Sequence, residues 1–144
     1  ESQKYIKLEI ERSIKNWDIN LWNFITWFNK WKDIKDNASF HINKRQLLNI
    51  DIENFFQSIT EEMVKNTFIN LVDDINLFIS LVTYKGVLPQ WSPCSPIISN
   101  IIFQSIDLQI IEYCKNSKFT NLWYSRYADD ISISFDNHIN FNIF

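Results

Sequence analysis

The 144-residue chain holds a single glycine, Gly86. Average usage of about 7% would give roughly ten. Turns ordinarily draw on glycine for positive φ and for close backbone approach, so a fold with many turns conflicts with this composition. Cysteine is scarce as well. Cys94 and Cys114 stand far apart in sequence and match no metal-binding or disulfide framework, and a reducing, cytoplasmic compartment is expected. There is no excess of basic residues. A net charge of −3 and a pI near 5.3 give no electrostatic footprint for nucleic acid. No long apolar run survives either. The most apolar stretch, residues 68–84, is broken by Asp73 and Asp74, so no membrane span is expected. Residues 1–16 alternate charged with apolar side chains, unlike a signal peptide. No internal repeat or linker is visible.

The chain is 46% hydrophobic and 22% charged, with twelve Phe and five Tyr. These values describe a globular protein with material for one core, and the length is too short for two ordinary domains. Tryptophan is unusually frequent, with six residues. The chain starts without Met and stops inside an Asn/Phe/Ile tail, so it is expected to be an internal piece of something longer.

Ile6, Ile10 and Ile14 have helical spacing within residues 3–15, and Asp18 is suited to cap a second helix reaching about Asn29. Residues 30–45 are mixed and polar, and are expected to be irregular. Gln46–Ile52 is short, apolar and β-capable, with an acid near its end. Thr60 before Glu61 and Glu62 predicts a helix to about Val72, by capping and dipole logic. Another helix is predicted over 74–83. Residues 86–96 (GVLPQWSPCSP) contain the only glycine and all three prolines, so they form a shaped loop. Ser95-Pro96 then opens a long helix to Tyr113. Leu122–Ala128 and Ile131–Phe135 predict a hairpin with Asp129 and Asp130 at its tip. Mixed helices and strands of this kind make an α+β fold.

Phosphoryl transfer by two metal ions requires carboxylates converging on cations about 3.5–4 Å apart, and Mg²⁺ prefers such hard oxygen ligands. A strand ending in Asp51 and a hairpin tip carrying Asp129 and Asp130 meet if the strands are neighbours in one antiparallel sheet. Asp-Asp alone is only a good turn dipeptide, as Asp73-Asp74 illustrates without any β context.

The surrounding residues change that weighting. YSRYADDISIS, with Tyr127-Ala128-Asp129-Asp130 at its centre, resembles the signature motif of reverse transcriptases. NIDIENFFQSI (Asn49–Ile59) resembles that family's first carboxylate motif, and LPQWSPCSPIISN (Leu88–Asn100) resembles its LPQG…SP…SN motif. The motifs occur in family order, and the resemblance covers roughly residues 24–136. Asn37-Ala38-Ser39-Phe40-His41 further matches the NAxxH element of retron reverse transcriptases.

The resemblance implies a right-hand polymerase palm, an antiparallel sheet packed on helices, over residues 46–144. Residues 1–45 would belong to the fingers, and the thumb would be missing. It implies Asp51, Asp129 and Asp130 as catalytic metal ligands for two Mg²⁺, with Mn²⁺ as a substitute, and the carbonyl of Ile52 as a further ligand. Phe56 would be a steric gate against the ribose 2′-OH. Gln90 and Trp91 would line the nucleotide pocket, and Lys32 would approach the triphosphate. Tyr127 would lie near the primer or template, while Asn37, Ala38 and His41 would form the retron-like element. Ser95 and Ser99 would serve helix start and packing. The implied function is RNA-directed DNA polymerisation from dNTPs on an RNA template with a DNA or RNA primer, beside a cognate structured noncoding RNA. A role in phage defence is part of that implication. The missing basic thumb would explain the acidic balance, because phosphate contacts supply most such affinity. The isolated piece is accordingly expected to have little activity. Competing readings are a group II intron-type enzyme, a palm-type nucleotidyl cyclase, which gives no reason for the Leu88–Asn100 loop, and a degenerate RNA-binding module.

The chain departs from the family pattern at Trp27, Trp31 and Trp91, which occupy positions where the pattern has Gly. Together with the scarcity of glycine and the abundance of Ile and Asn, this suggests UGA codons written as Trp in a lineage that reads them as Gly. UGG codons at those positions would overturn the idea. If Trp91 is genuine, its indole crowds the pocket, and any demand for positive φ adds roughly 1–3 kcal/mol of strain.

Overall fold

The computed structural model describes residues 2–16 and 34–137. Along the chain run α1 (Ser2–Asn16), α2 (Ile34–Ser39), β1 (Gln46–Asp51), α3 (Phe55–Ser58), α4 (Glu61–Phe68) and α5 (Ile75–Val82). They are followed by α6 (Ser95–Asn116), β2 (Trp123–Tyr127) and β3 (Asp130–Phe135). The α+β class expected from sequence holds. Helix α2 is a correction, since it occupies part of the stretch expected to be irregular. Its six residues are fewer than two turns, too few to display a helical period. The helix expected from Asp18 to Asn29, and Lys32, Trp27 and Trp31, lie outside the described residues.

The described residues fall into two compact units. The helical unit gathers 2–16 and 53–105; the sheet unit gathers 34–52 and 106–137. In the helical unit, Thr60 caps α4 by accepting from the Met63 amide, and Asp74 caps α5 by accepting from Asn76 and Leu77. Each cap satisfies amides that a helix start leaves without intrahelical partners. Val64 and Phe68 on α4 and Phe78 and Val82 on α5 are buried, and the Phe68 and Phe78 rings lie 5.0 Å apart. Helix α4 stops at Phe68, four residues short of the expected Val72.

The lone glycine sits where positive φ is required. Lys85 and Gly86 have φ of 52° and 82° between Tyr84 and Val87, which exchange both backbone hydrogen bonds. This is the sign pattern of a type I′ turn. Asparagine fills other left-handed positions at Asn43, Asn54 and Asn121, as its short polar side chain tolerates that region. Abundant Asn thereby resolves the conflict between few glycines and many turns. A Cβ built on Gly86 meets nothing within 4 Å. Gly86→Ala is therefore expected to cost only conformational strain, about 1 kcal/mol, read as a small drop in melting temperature.

The sheet unit contains a three-stranded antiparallel sheet in the order β1-β3-β2. Ile131, Ile133 and Phe135 of β3 are buried with Tyr124 and Cys114, and Ile110, Ile111 and Phe119 pack against them. The opposite face carries Ser125, Ser132 and Ser134, as strand alternation requires.

Candidate active site

Strand β1 meets β3 in the register Gln46↔Phe135 through Asp51↔Asp130. Asp51 and Asp130 thus stand opposite each other, and directly opposed residues share a face with Cβ atoms about 5 Å apart. The amide of Ile52 donates to the Asp129 carbonyl at 3.1 Å, which extends the link from β1 onto the turn. Tyr127 pairs with Asp130 across β2 and β3, leaving Ala128 and Asp129 as a two-residue hairpin loop. Ala128 has φ 57°, the left-handed value that tight hairpin loops require. Asp51, Ile52, Tyr127, Asp129 and Asp130 are therefore brought together at one end of one sheet.

Among the described residues no ion pair involves these acids. Partial burial pushes the Asp130 carboxyl above its ordinary value, and the charges of Asp129 and Asp51 push it further the same way. Three acidic side chains in mutual repulsion are a donor set suited by chemistry to a hard divalent cation. Their side chains as placed do not form a cluster of three or more metal-ligating groups, and no such cluster occurs among the described residues.

The helical unit carries the nucleotide-pocket candidates. Phe55 is buried against Phe103, ring centroids 4.7 Å apart, and Phe56 beside it is half-buried. The loop bearing Gln90 is held by its neighbours: the Leu88 amide donates to Ile59, and the Ser95 hydroxyl donates to the Pro89 carbonyl at 2.5 Å. Ser99 donates to the Pro96 carbonyl within α6. Ser95 and Ser99 therefore do serve helix start and packing. Gln90 is exposed, and Trp91 is 90% exposed. Trp91 is not among the residues with positive φ, so the strain considered for a genuine tryptophan there does not arise.

His41 closes the NAxxH element. Its Nδ1 lies 2.7 Å from the Ser134 hydroxyl and its Nε2 lies 2.6 Å from the Ser125 hydroxyl. The ring thus bridges two adjacent strands on the sheet's serine face. Phe40 stacks on Trp123 with centroids 5.4 Å apart. Asn37 is buried and Ala38 is exposed. Burial lowers the His41 pKa below 6.5, and Lys44 lowers it further. A lowered folded pKa means the unfolded chain binds more protons between the two values. Stability from this group is present above about pH 6.5 and is lost as pH falls toward the folded pKa. The melting temperature is therefore expected to drop between pH 7 and 5, and His41→Gln should flatten that slope. An unchanged slope would contradict the assignment.

Sequence reading missed Asp107. It is fully buried on α6, where Asp107, Ile110, Ile111 and Cys114 share an apolar stripe. The Arg126 Nε donates to its Oδ1 at 2.8 Å and Nη2 donates to Oδ2 at 2.8 Å, with neither side chain exposed. Tyr124 Oη donates to Oδ1 at 2.5 Å. Burial raises the Tyr124 pKa, and Asp107 raises it further. Arg126 Nη1 also donates to the Ala128 carbonyl at 3.0 Å. An acid at i of an i, i+3, i+4, i+7 apolar stripe is costly unless paired, and that was the signal available.

No protein-family profile matches the chain. It is 39% identical over 112 residues to the Retron Ec86 reverse transcriptase of Escherichia coli, covering 74% of this chain and 33% of that relative. It is 36% identical over 116 residues to the Retron Ec83 reverse transcriptase of Escherichia coli, covering 72% and 36%. To the Retron Se72 reverse transcriptase of Salmonella heidelberg it is 36% identical over 109 residues, covering 73% and 28%. The chain therefore belongs to the reverse transcriptases. Within that class it is of the retron type, as a partial chain that spans about a third of the length of these curated relatives. No described helix is long and apolar enough to cross a membrane.

Proposed function

We propose that this chain supplies the palm-type catalytic centre of an RNA-directed DNA polymerase of the retron kind. The observation that carries the reading is the register of Asp51 against Asp130, locked at the turn by the Ile52 amide on the Asp129 carbonyl. Asp51, Asp129 and Asp130, with the Ile52 carbonyl, would hold two Mg²⁺. Such ions activate a primer 3′-oxygen and neutralise charge on the transferring phosphoryl group. The protein's part is positional. Two strands and a tight turn keep the backbones of the acids on one end of a packed sheet, so that only side-chain rotation would remain for them to close on a cation. Phe56 would exclude the ribose 2′-OH sterically, selecting dNTPs, and Gln90 would contact the incoming nucleotide. Tyr127, on the same sheet end as Asp130, would lie beside the primer terminus or template.

The relatives' names, retron reverse transcriptases, support copying of an RNA template; a structured noncoding RNA partner, a cytoplasmic setting and a role in phage defence belong to the same proposal. The test is primer extension by the full-length protein on an RNA template with dNTPs and Mg²⁺. Extension that chelation of the metal stops supports the reading. Template binding without extension under any divalent metal overturns it in favour of a degenerate RNA-binding module.

A further inference from the structure

The buried Asp107–Arg126 pair plays no part in the nucleotidyl-transfer reading. Taking two charges out of water costs several kcal/mol per ion, and apolar residues of similar volume are often as stabilising or more so. Stability alone therefore gives no reason for an ion pair at a fully buried position on an apolar helix stripe. What an apolar pair cannot supply is a donor for the Ala128 carbonyl, and Arg126 Nη1 supplies one.

That donor matters because of where the carbonyl lies. Ala128 is held at φ 57°, a left-handed conformation that is strained for a non-glycine residue. The carbonyl belongs to the peptide that precedes Asp129. The peptide that follows Asp129 is held by the Ile52 amide on the Asp129 carbonyl. Both peptide planes flanking Asp129 are thus anchored, one from β1 and one from the buried guanidinium. The guanidinium is itself oriented by two hydrogen bonds to Asp107, whose Oδ1 also accepts from Tyr124 Oη. The chain of contacts runs from α6 through β2 to the turn without interruption.

We propose that Asp107 and Arg126, with Tyr124 orienting Asp107, are positioning residues that fix the Ala128–Asp129 peptide and thereby aim the Asp129 carboxylate. The proposal rests on the reading of Asp129 as a metal ligand. Groups that orient a ligand from behind are typically worth about 10–100-fold in metal affinity or activity.

The experiment measures Mn²⁺ affinity by calorimetry on the full-length protein without substrate, and primer extension against Mg²⁺ and dNTP concentration, for Arg126→Lys, Tyr124→Phe and Asp129→Asn. The Mn²⁺ affinity is expected to move with the Mg²⁺ midpoint. A lysine retains the charge opposite Asp107, but its single ammonium lacks the planar fork that serves Asp107 and Ala128 together. Arg126→Lys is expected to raise the half-maximal Mg²⁺ concentration about tenfold and lower kcat about 10–100-fold, with the dNTP KM little changed. Tyr124→Phe should move the Mg²⁺ midpoint the same way by less. A merely structural pair would lower the melting temperature and active fraction and leave the Mg²⁺ midpoint in place, which would overturn the proposal. If Arg126→Lys does not fold, an unmoved midpoint in Tyr124→Phe overturns it equally. Wild-type extension by Asp129→Asn would instead sink the underlying metal-ligand reading.

Discussion

Asp129→Asn in the full-length protein is expected to reduce primer extension at least roughly a thousandfold, equivalent to about 4 kcal/mol of transition-state stabilisation, while leaving the fold intact. Asn has nearly the shape of Asp, so the two-residue loop between Tyr127 and Asp130 keeps its backbone bonds. What disappears is one of the negative charges gathered at the sheet end. Removing it relieves repulsion on Asp130, so thermal stability should stay level or rise slightly. The pairing of a large kinetic loss with no loss of stability is the informative outcome. Near-wild-type extension would mean that Asp129 does not act on the reacting phosphate at all. If the wild-type protein binds RNA without extending a primer and the variant binds equally well, the acids are relics of a binding module.

The largest effect on stability is expected from Asp107→Ala. The substitution leaves the Arg126 guanidinium fully buried without its bidentate partner, and breaking a buried pair in this way typically costs about 3–5 kcal/mol. It also deprives the Tyr124 hydroxyl of its acceptor. A fall of that size is read as a large shift in the denaturation midpoint. The contrasting variant is Asp107→Leu combined with Arg126→Met. With both charges gone, nothing buried is left uncompensated, and most of the stability should return. Activity should not return with it, because no donor then reaches the Ala128 carbonyl. A double variant that recovers both would show that packing alone is needed beneath the turn.

Much of this was legible from the residues, for identifiable reasons. Thr60, Asp74 and Ser95-Pro96 announce helix starts because capping chemistry is local. The hairpin was legible because two β-capable runs flank an acidic dipeptide, although the loop falls one residue earlier than expected, on Ala128-Asp129, with Asp130 already in β3. The facing of Asp51 and Asp130 needed only the assumption of neighbouring strands, which the register bears out. Helix α2 was not legible, because its six residues carry no period and α2 lies against β2, which is far away in sequence. The Asp107–Arg126 pair was hidden for a related reason. Nineteen positions separate its members, and Arg126 in a strand looks like ordinary alternation until its partner is seen. His41 was found only as a match to a short motif. Its bridge between Ser125 and Ser134 depends on a strand register that no local pattern reveals.

Strand β1 lies at the edge of the three-stranded sheet, and Leu47, Leu48 and Ile50 are exposed along it at 54%, 40% and 41%. Among the described residues no strand pairs with its outer side, and an apolar edge strand is a template on which another extended chain can add itself. Natural sequences restrain such strands with charged gatekeepers at their ends, and here Lys44 and Arg45 stand before β1 while Asp51 closes it and Glu53 follows. The acid read as a metal ligand is also one of the charges that flank this exposed strand. Neutralising Asp51 removes both at once. For that one position, the soluble yield of the variant has to be established before any lost turnover is credited to chemistry.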